Sequence, residues 1–205
     1  MLPHPHALVE HITELQRATV VRWHEQPPDN MYDGLLSTVC QQHQFNYLLW
    51  HEEDIARCPD VSEARIAAVK RAIDRYNQQR NDWIEKIDES LLQILAAEGI
   101  LARNGARLNT ETPGSATDRL SIMSLRIYHL NEQLTRDGAD DNHRATVRER
   151  LNRCLVQHAD LSQSLAELLD DIWSGRKLLK VYRQMKMYND PTLNPYLYRS
   201  SRLAG

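Results

Sequence analysis

Residues 62–97 read SEARIAAVKRAIDRYNQQRNDWIEKIDESLLQILAA, and the fold is decided in this stretch. Apolar or aromatic side chains recur every three or four positions, at Ile66, Val69, Ile73, Tyr76, Trp83, Ile87, Leu91 and Ile94. That period is the period of an α-helix with one buried face. Ser62 stands where an N-cap belongs. One residue breaks the seam: Arg80, between Tyr76 and Trp83.

The same period extends outward in both directions. Upstream, a helix from about Asp33 to Arg57 turns Leu36, Val39, His43, Asn46, Trp50, Asp54 and Arg57 inward, and Cys58-Pro59-Asp60 stops it. Before it, Leu8, Ile12, Leu15, Thr19 and Trp23 predict a helix from about Pro5 to Glu25, ended by Pro27-Pro28-Asp29. Downstream comes a loop from about Gly99 to Gly114, rich in Asn, Gly, Thr and Pro. Ser115 to Asp118 then reads as a capping box opening a fourth helix with a row of Leu120, Met123, Ile127, Leu130 and Leu134. A fifth helix follows Asp140-Asp141-Asn142, with Val147, Leu151, Cys154, His158, Leu161, Leu165, Leu168 and Ile172, and Gly175 kinks or ends it. A sixth helical stretch is expected from Arg176 to about Tyr188, carrying Leu179, Tyr182 and Met185, closed by Asn189-Asp190-Pro191 and Asn194-Pro195. The expectation is all-α: an antiparallel bundle of five to six helices, one domain over residues 1–205, with a basic C-terminal segment over 174–205.

Composition agrees with that class. The chain is 41% hydrophobic, enough to build a core, and its seven Gly and single Phe favour helix over sheet. The net charge of −3 argues against a nucleic-acid binder. The charge is uneven, however: residues 174–205 hold seven basic side chains against Asp190, which leaves −9 on the rest. Cys40, Cys58 and Cys154 are isolated and show no metal-ligand spacing, as expected of reduced thiols in the cytoplasm. The opening MLPHPHALVEHITEL does not read as a signal peptide, and no apolar run approaches a membrane span.

Polar residues inside helical seams mark the candidate site. His43, Asn46, Asp54 and Arg57 interrupt the second helix, and buried ions need partners. The third helix offers Arg80 and a parallel polar row of Lys70, Asp74, Asn77, Asn81, Glu85 and Asp88. Counting from the tight turn between these two helices places His43 near Asn77, Asn46 near Asp74, and Trp50, Glu53 and Asp54 near Ile66 and Lys70. His51-Glu52-Glu53-Asp54 crowds three acids into one turn. Magnesium or manganese on Glu53 and Asp54 would relieve this, and so would the basic tail. Arg119, at the start of the fourth helix, suits a phosphate. Lys180, Arg183 and Lys186 make a basic face. The plain alternative is a solvated helix face with structural ion pairs, and His158 reads as a core histidine.

Several blocks together resemble a bacterial family known as domain-of-unknown-function family 4254. They run from Asn46 through Leu49-Trp50-His51-Glu52-Glu53-Asp54-Ile55-Ala56-Arg57, through Ile73-Asp74 and Asn77 to Asp82, and through Glu111-Thr112-Pro113-Gly114-Ser115 with Asp118 to Ile122. They end in Gly175-Arg176-Lys177 and Val181 to Pro191. The resemblance implies no established activity; it implies an association with bacterial glycosyltransferases and surface-polysaccharide assembly.

The expected function is binding of a small phosphorylated ligand, a nucleotide or nucleotide sugar. The expected wall is His43, Asn46, Trp50, Asp54, Asp74, Asn77 and Asn81, with Arg80, Arg119, Arg183 and Lys186 on the phosphates. Two alternatives stand beside it. One is a magnesium-dependent hydrolase of nucleotides or phosphosugars. The other is a module that docks a glycosyltransferase or a second copy of itself through the basic tail.

Overall fold

A computed structural model describes residues 4–187 and 190–203; Tyr188, Asn189 and the Arg202 side chain, all in the expected basic segment, lie outside the described residues. The elements in chain order are α1 (Pro5–Trp23), α2 (Gly34–Ala56), α3 (Glu63–Ala97), β1 (Arg107–Leu108), α4 (Pro113–Thr135), α5 (Asp141–Trp173), β2 (Lys177–Leu178) and α6 (Pro195–Leu203). The helices pack as an antiparallel bundle. No helix among the described residues is long and apolar enough to cross a membrane.

The seams explain the packing. Leu8, Ile12, Leu15 and Trp23 of α1 meet Val39 of α2, Ile87 and Leu91 of α3, Leu120 and Leu125 of α4, and Leu165 and Leu169 of α5 in one apolar core. Each such side chain contributes about 1.5–3 kcal/mol by leaving water. The first half of α4 is buried on nearly every side, from Pro113 to Leu125 except Ser115, Arg119 and Ile122. It touches α1, α2, α3 and α5. Beside Leu120, Met123 and Leu125, the buried side chains there are small or polar: Gly114, Ala116, Thr117, Asp118, Ser121 and Ser124. A thin helix surface is what lets several neighbours approach at once.

Gly114 marks the tightest approach. A Cβ on it would lie 2.5 Å from the Ile84 carbonyl oxygen of α3. Its N–H donates to the Asp88 carboxylate at 2.8 Å, so an acid of α3 satisfies a free amide at the start of α4. Burial raises the Asp88 pKa to about 6 in spite of that bond.

Three expectations are corrected here. The cap of α4 is Thr112, whose hydroxyl accepts from the Ser115 N–H at 3.1 Å, with Pro113 in the first turn. The helix therefore starts ahead of Ser115, and Asp118 is no capping residue. The expected sixth helix over 176–188 does not form. Gly175, at φ +71, turns the chain out of α5, and β2 pairs in parallel with β1 through Arg107↔Lys177 and Leu108↔Leu178. Beyond β2 the chain is a strap along α3. The Gln184 N–H donates to the Glu85 carboxylate at 2.9 Å rather than to a helical carbonyl. Finally, Asn194-Pro195 opens a helix instead of closing one. The Asn194 side chain accepts from the Tyr196 N–H at 2.9 Å, and proline suits the first helical position.

Two variants test the α3–α4 contact. Gly114→Ala should cost about 2 kcal/mol or more through overpacking, read as a lower urea midpoint. Asp88→Asn tests the buried acid. Its folded pKa lies above the unfolded value of about 3.9, so its stabilising contribution is complete below that value and is lost as pH rises through about 6. The melting-temperature difference, variant minus wild type, should therefore be more positive at pH 8 than at pH 4. An equal difference at both would refute the assignment.

Candidate functional site

Asp118 is the centre of a buried polar cluster between α2, α3 and α4. Its Oδ1 accepts from Gln42 Nε2 at 2.6 Å and from Asn46 Nδ2 at 2.9 Å. The Arg80 guanidinium approaches the same oxygen at 3.7 Å. Asn46 Nδ2 also donates to the Ser121 hydroxyl at 2.8 Å, which lies 2.6 Å from His43 Nδ1. Burial raises the Asp118 pKa, opposed by the Arg80 charge and by the amide donors of Asn46 and Gln42. Burial lowers the His43 pKa to about 3, so this imidazole stays neutral at ordinary pH. It stacks on Trp23, with ring centroids 5.2 Å apart.

The seam residues His43, Asn46 and Arg80 are thus brought together, but around α4 rather than around the polar row of α3. Asn46 does not pair with Asp74, nor His43 with Asn77. Asp74 is exposed and holds Lys70 at 3.0 Å. Asn77 is half-buried, and its carbonyl accepts from Lys186 Nζ at 3.4 Å. Asn81, read as part of an outer row, is buried.

A cleft of about 320 Å³ opens beside the cluster, lined by Asn46, Trp50, Glu53, Asp54, Arg57 and Arg80 together with Leu49, Ile122 and Leu125. Trp50 and Asp54 also border a second cleft of about 500 Å³, where Arg126, His129, Arg150 and Arg153 face them. Arg153 is bonded to Glu149 at 2.7 Å. Among the described residues, Arg126 and Arg150 have no salt-bridge partner. Arg80 Nε is buried without a hydrogen-bond partner. A third cleft, about 810 Å³ between α4 and α5, holds Arg119, Arg126 and Lys177 among Glu111, Asp160, Glu167 and Asp171. Acids outnumber bases there, which suits a phosphate poorly.

The other expected site residues lie elsewhere. Arg119 holds Glu111 at 3.4 Å. Arg183 bridges Glu85 at 2.9 Å and Glu89 at 2.5 Å, so the basic tail does answer an acidic face, that of α3 rather than the 51–54 turn. Glu53 is bonded to Arg57 at 2.7 Å, and Asp54 is exposed. Glu85 is engaged by Arg183 and Asp88 by Gly114, and among the described residues these acids form no group with Glu53 and Asp54 that could share an ion.

The matched span of a family model covers residues 36–181. The chain belongs to the family described as Protein of unknown function (DUF4254). The DUF4254 span runs from α2 to just beyond β2, so the Asp118 cluster and both clefts beside it fall within it, while α1 precedes it. No curated protein and no solved structure matches the chain.

Gln42, Asp118 and Ser121 went unread as site residues. Asp118 looked like a local cap, and Gln42 and Ser121 carry no signal without the partner helix. A group of side chains that could share an ion was missed as well: His24, His51 and His129.

Asp118→Ala should cost about 3 kcal/mol or more in urea unfolding, because it leaves two buried amide donors and a mostly buried guanidinium without an acceptor. Asp118→Asn keeps one acceptor and should cost less. Equal losses would mean that the acceptor is not what the cluster depends on.

Proposed function

We propose that the chain binds a small phosphorylated ligand, of the nucleotide or nucleotide-sugar class, in the cleft between α2, α3 and α4, and that it serves bacterial surface-glycan assembly. The observation that carries this reading is Arg80. Its side chain is 25% exposed and lines the cleft, while its buried Nε faces Asp118 at 3.7 Å, too far for a hydrogen bond. A guanidinium fork with spare donors at a cleft floor suits phosphate oxygens. Arg126 and Arg150, on the adjoining wall, supply more positive charge. Trp50 at the junction offers an aromatic surface, and Glu53 and Asp54 offer acceptors for sugar hydroxyls. Arg183, Lys186 and Arg119 are left out, because each contacts protein groups away from this cleft.

The test is the melting temperature against nucleotides, nucleotide sugars, sugar phosphates and inorganic phosphate, with and without magnesium. A ligand at about 100 times its dissociation constant stabilises by roughly 2.7 kcal/mol. Arg80→Gln should abolish the shift and Arg183→Gln should keep it. No shift across the panel overturns the reading. A shift that requires magnesium and is followed by turnover would move it to the hydrolase.

A second reading, a docking module for a glycosyltransferase or another copy, is favoured by the exposure of Tyr182, Met185, Met187 and Tyr196 within the basic segment. Removal of residues 182–205, which takes away all four of these side chains together with Arg183 and Lys186, should then abolish a salt-sensitive association, and an association that survives removal counts against it.

A further inference from the structure

His24 caps the end of α1, His51 lies on α2 and His129 on α4. One ring nitrogen from each lies within 4.8 Å of the other two. All three Nε2 atoms are buried and have no hydrogen-bond partner. An unfilled acceptor in the interior costs free energy, and three unfilled acceptors at one place cost more.

The surroundings fix how the rings present themselves. His24 Nδ1 lies 2.7 Å from the Val20 carbonyl oxygen, which can only accept, so Nδ1 carries the proton and Nε2 the lone pair. His129 Nδ1 lies 2.6 Å from the Glu132 carboxylate, so Nδ1 carries a proton there too, and in the neutral ring Nε2 holds the lone pair. A carboxylate or carbonyl behind the imidazole is the usual support of a metal-bound histidine. Aromatic neighbours hold the ring planes. Tyr128 stacks on His24 at 4.1 Å between centroids, Trp50 lies 9° from parallel with His129 at 5.0 Å, and the Tyr47 ring meets His51 edge-on at 4.5 Å. Tyr47 is itself anchored, its hydroxyl donating to the Trp23 carbonyl at 2.6 Å.

From this arrangement we infer that His24, His51 and His129 form a binding site for one divalent transition-metal ion of the zinc class. The size fits. Three atoms no more than 4.8 Å apart lie within about 2.8 Å of a common point, so an inward shift of under about 0.8 Å brings each to the zinc–nitrogen length of about 2.0–2.1 Å. Neutral imidazole selects zinc, cobalt, nickel or copper, and it disfavours magnesium and calcium, which take oxygen. Three nitrogens leave one place of a tetrahedral ion for water or another ligand. His129 also borders the cleft shared by Trp50 and Asp54, so the ion would sit beside that cleft. The site stands whether or not the cleft takes a phosphorylated ligand.

The experiment uses the full chain, stripped with a chelator and titrated with zinc by calorimetry. One zinc per chain and a raised melting temperature are expected, with no shift from magnesium. His51→Gln should weaken zinc binding at least tenfold, and Glu132→Gln roughly 10–100-fold through His129. The stacked pair His4 and His6, at the other end of α1, is the adventitious zinc binder to control for. A His4→Gln, His6→Gln double variant should bind as the wild type does. Should His51→Gln fail to fold, X-ray absorption on the zinc-loaded wild type decides, by showing three imidazole nitrogens at the metal. Zinc affinity lost with His4 and His6 but kept in His51→Gln would overturn the assignment. So would an absorption spectrum with fewer than three imidazoles, or no zinc binding at all.

Discussion

Asp118 sits on the most enclosed helix of the bundle, where Gln42 and Asn46 of α2 donate to its carboxylate and Arg80 of α3 supplies the counter-charge. A buried carboxylate is costly unless it is bonded and paired, so the three helices can meet in only one register. The small side chains of α4 follow from the same constraint. Gly114, Ala116, Thr117, Ser121 and Ser124 let the neighbours come close enough for Asp118 to be reached. The apolar core tolerates exchange of one aliphatic side chain for another, but this polar centre does not, because each donor is aimed at a single oxygen. Arg80, with its Nε buried and unpartnered, is the charged donor of the cluster that lines the open cleft.

How much of this could be read in the chain depended on range. The first five helices were legible, since a buried face repeats every turn and breaks at proline, glycine and acidic turns. The seam residues His43, Asn46 and Arg80 were legible as an interruption of that repeat, and they do share a cluster. Their partner was not. Ser115-Ala116-Thr117-Asp118 matches a capping pattern, and only the position of Thr112 ahead of Pro113 shows that the pattern is unused. Pairing α2 with α3 from their common turn gave the right neighbours and the wrong facing residues, because Asn46 and His43 point to α4. The three histidines come from the ends and middles of three helices, far apart in sequence, where no spacing rule connects them.

The strap after β2 illustrates the same limit from the other side. Leu179, Tyr182 and Met185 recur at helical spacing, yet the backbone is claimed by distant groups. Leu179 is buried in the core, and Glu85 takes both the Arg183 guanidinium and the Gln184 amide. Local preference for helix is worth tenths of a kcal/mol per residue, less than a few such tertiary bonds.

The strap is also where the architecture is easiest to open. Its bond from Gln184 to Glu85 closes a loop across 99 residues, and beyond the buried Leu179 it is held by the half-exposed Arg183 on Glu85 and Glu89, ion pairs that salt weakens. Peeling it away would leave the Asp118 cluster intact while baring the acidic flank of α3. In hydrogen-exchange terms the strap is an outer unit that should open ahead of the helical interior, where the buried apolar contacts lie. Ionic strength acts on the outer unit first.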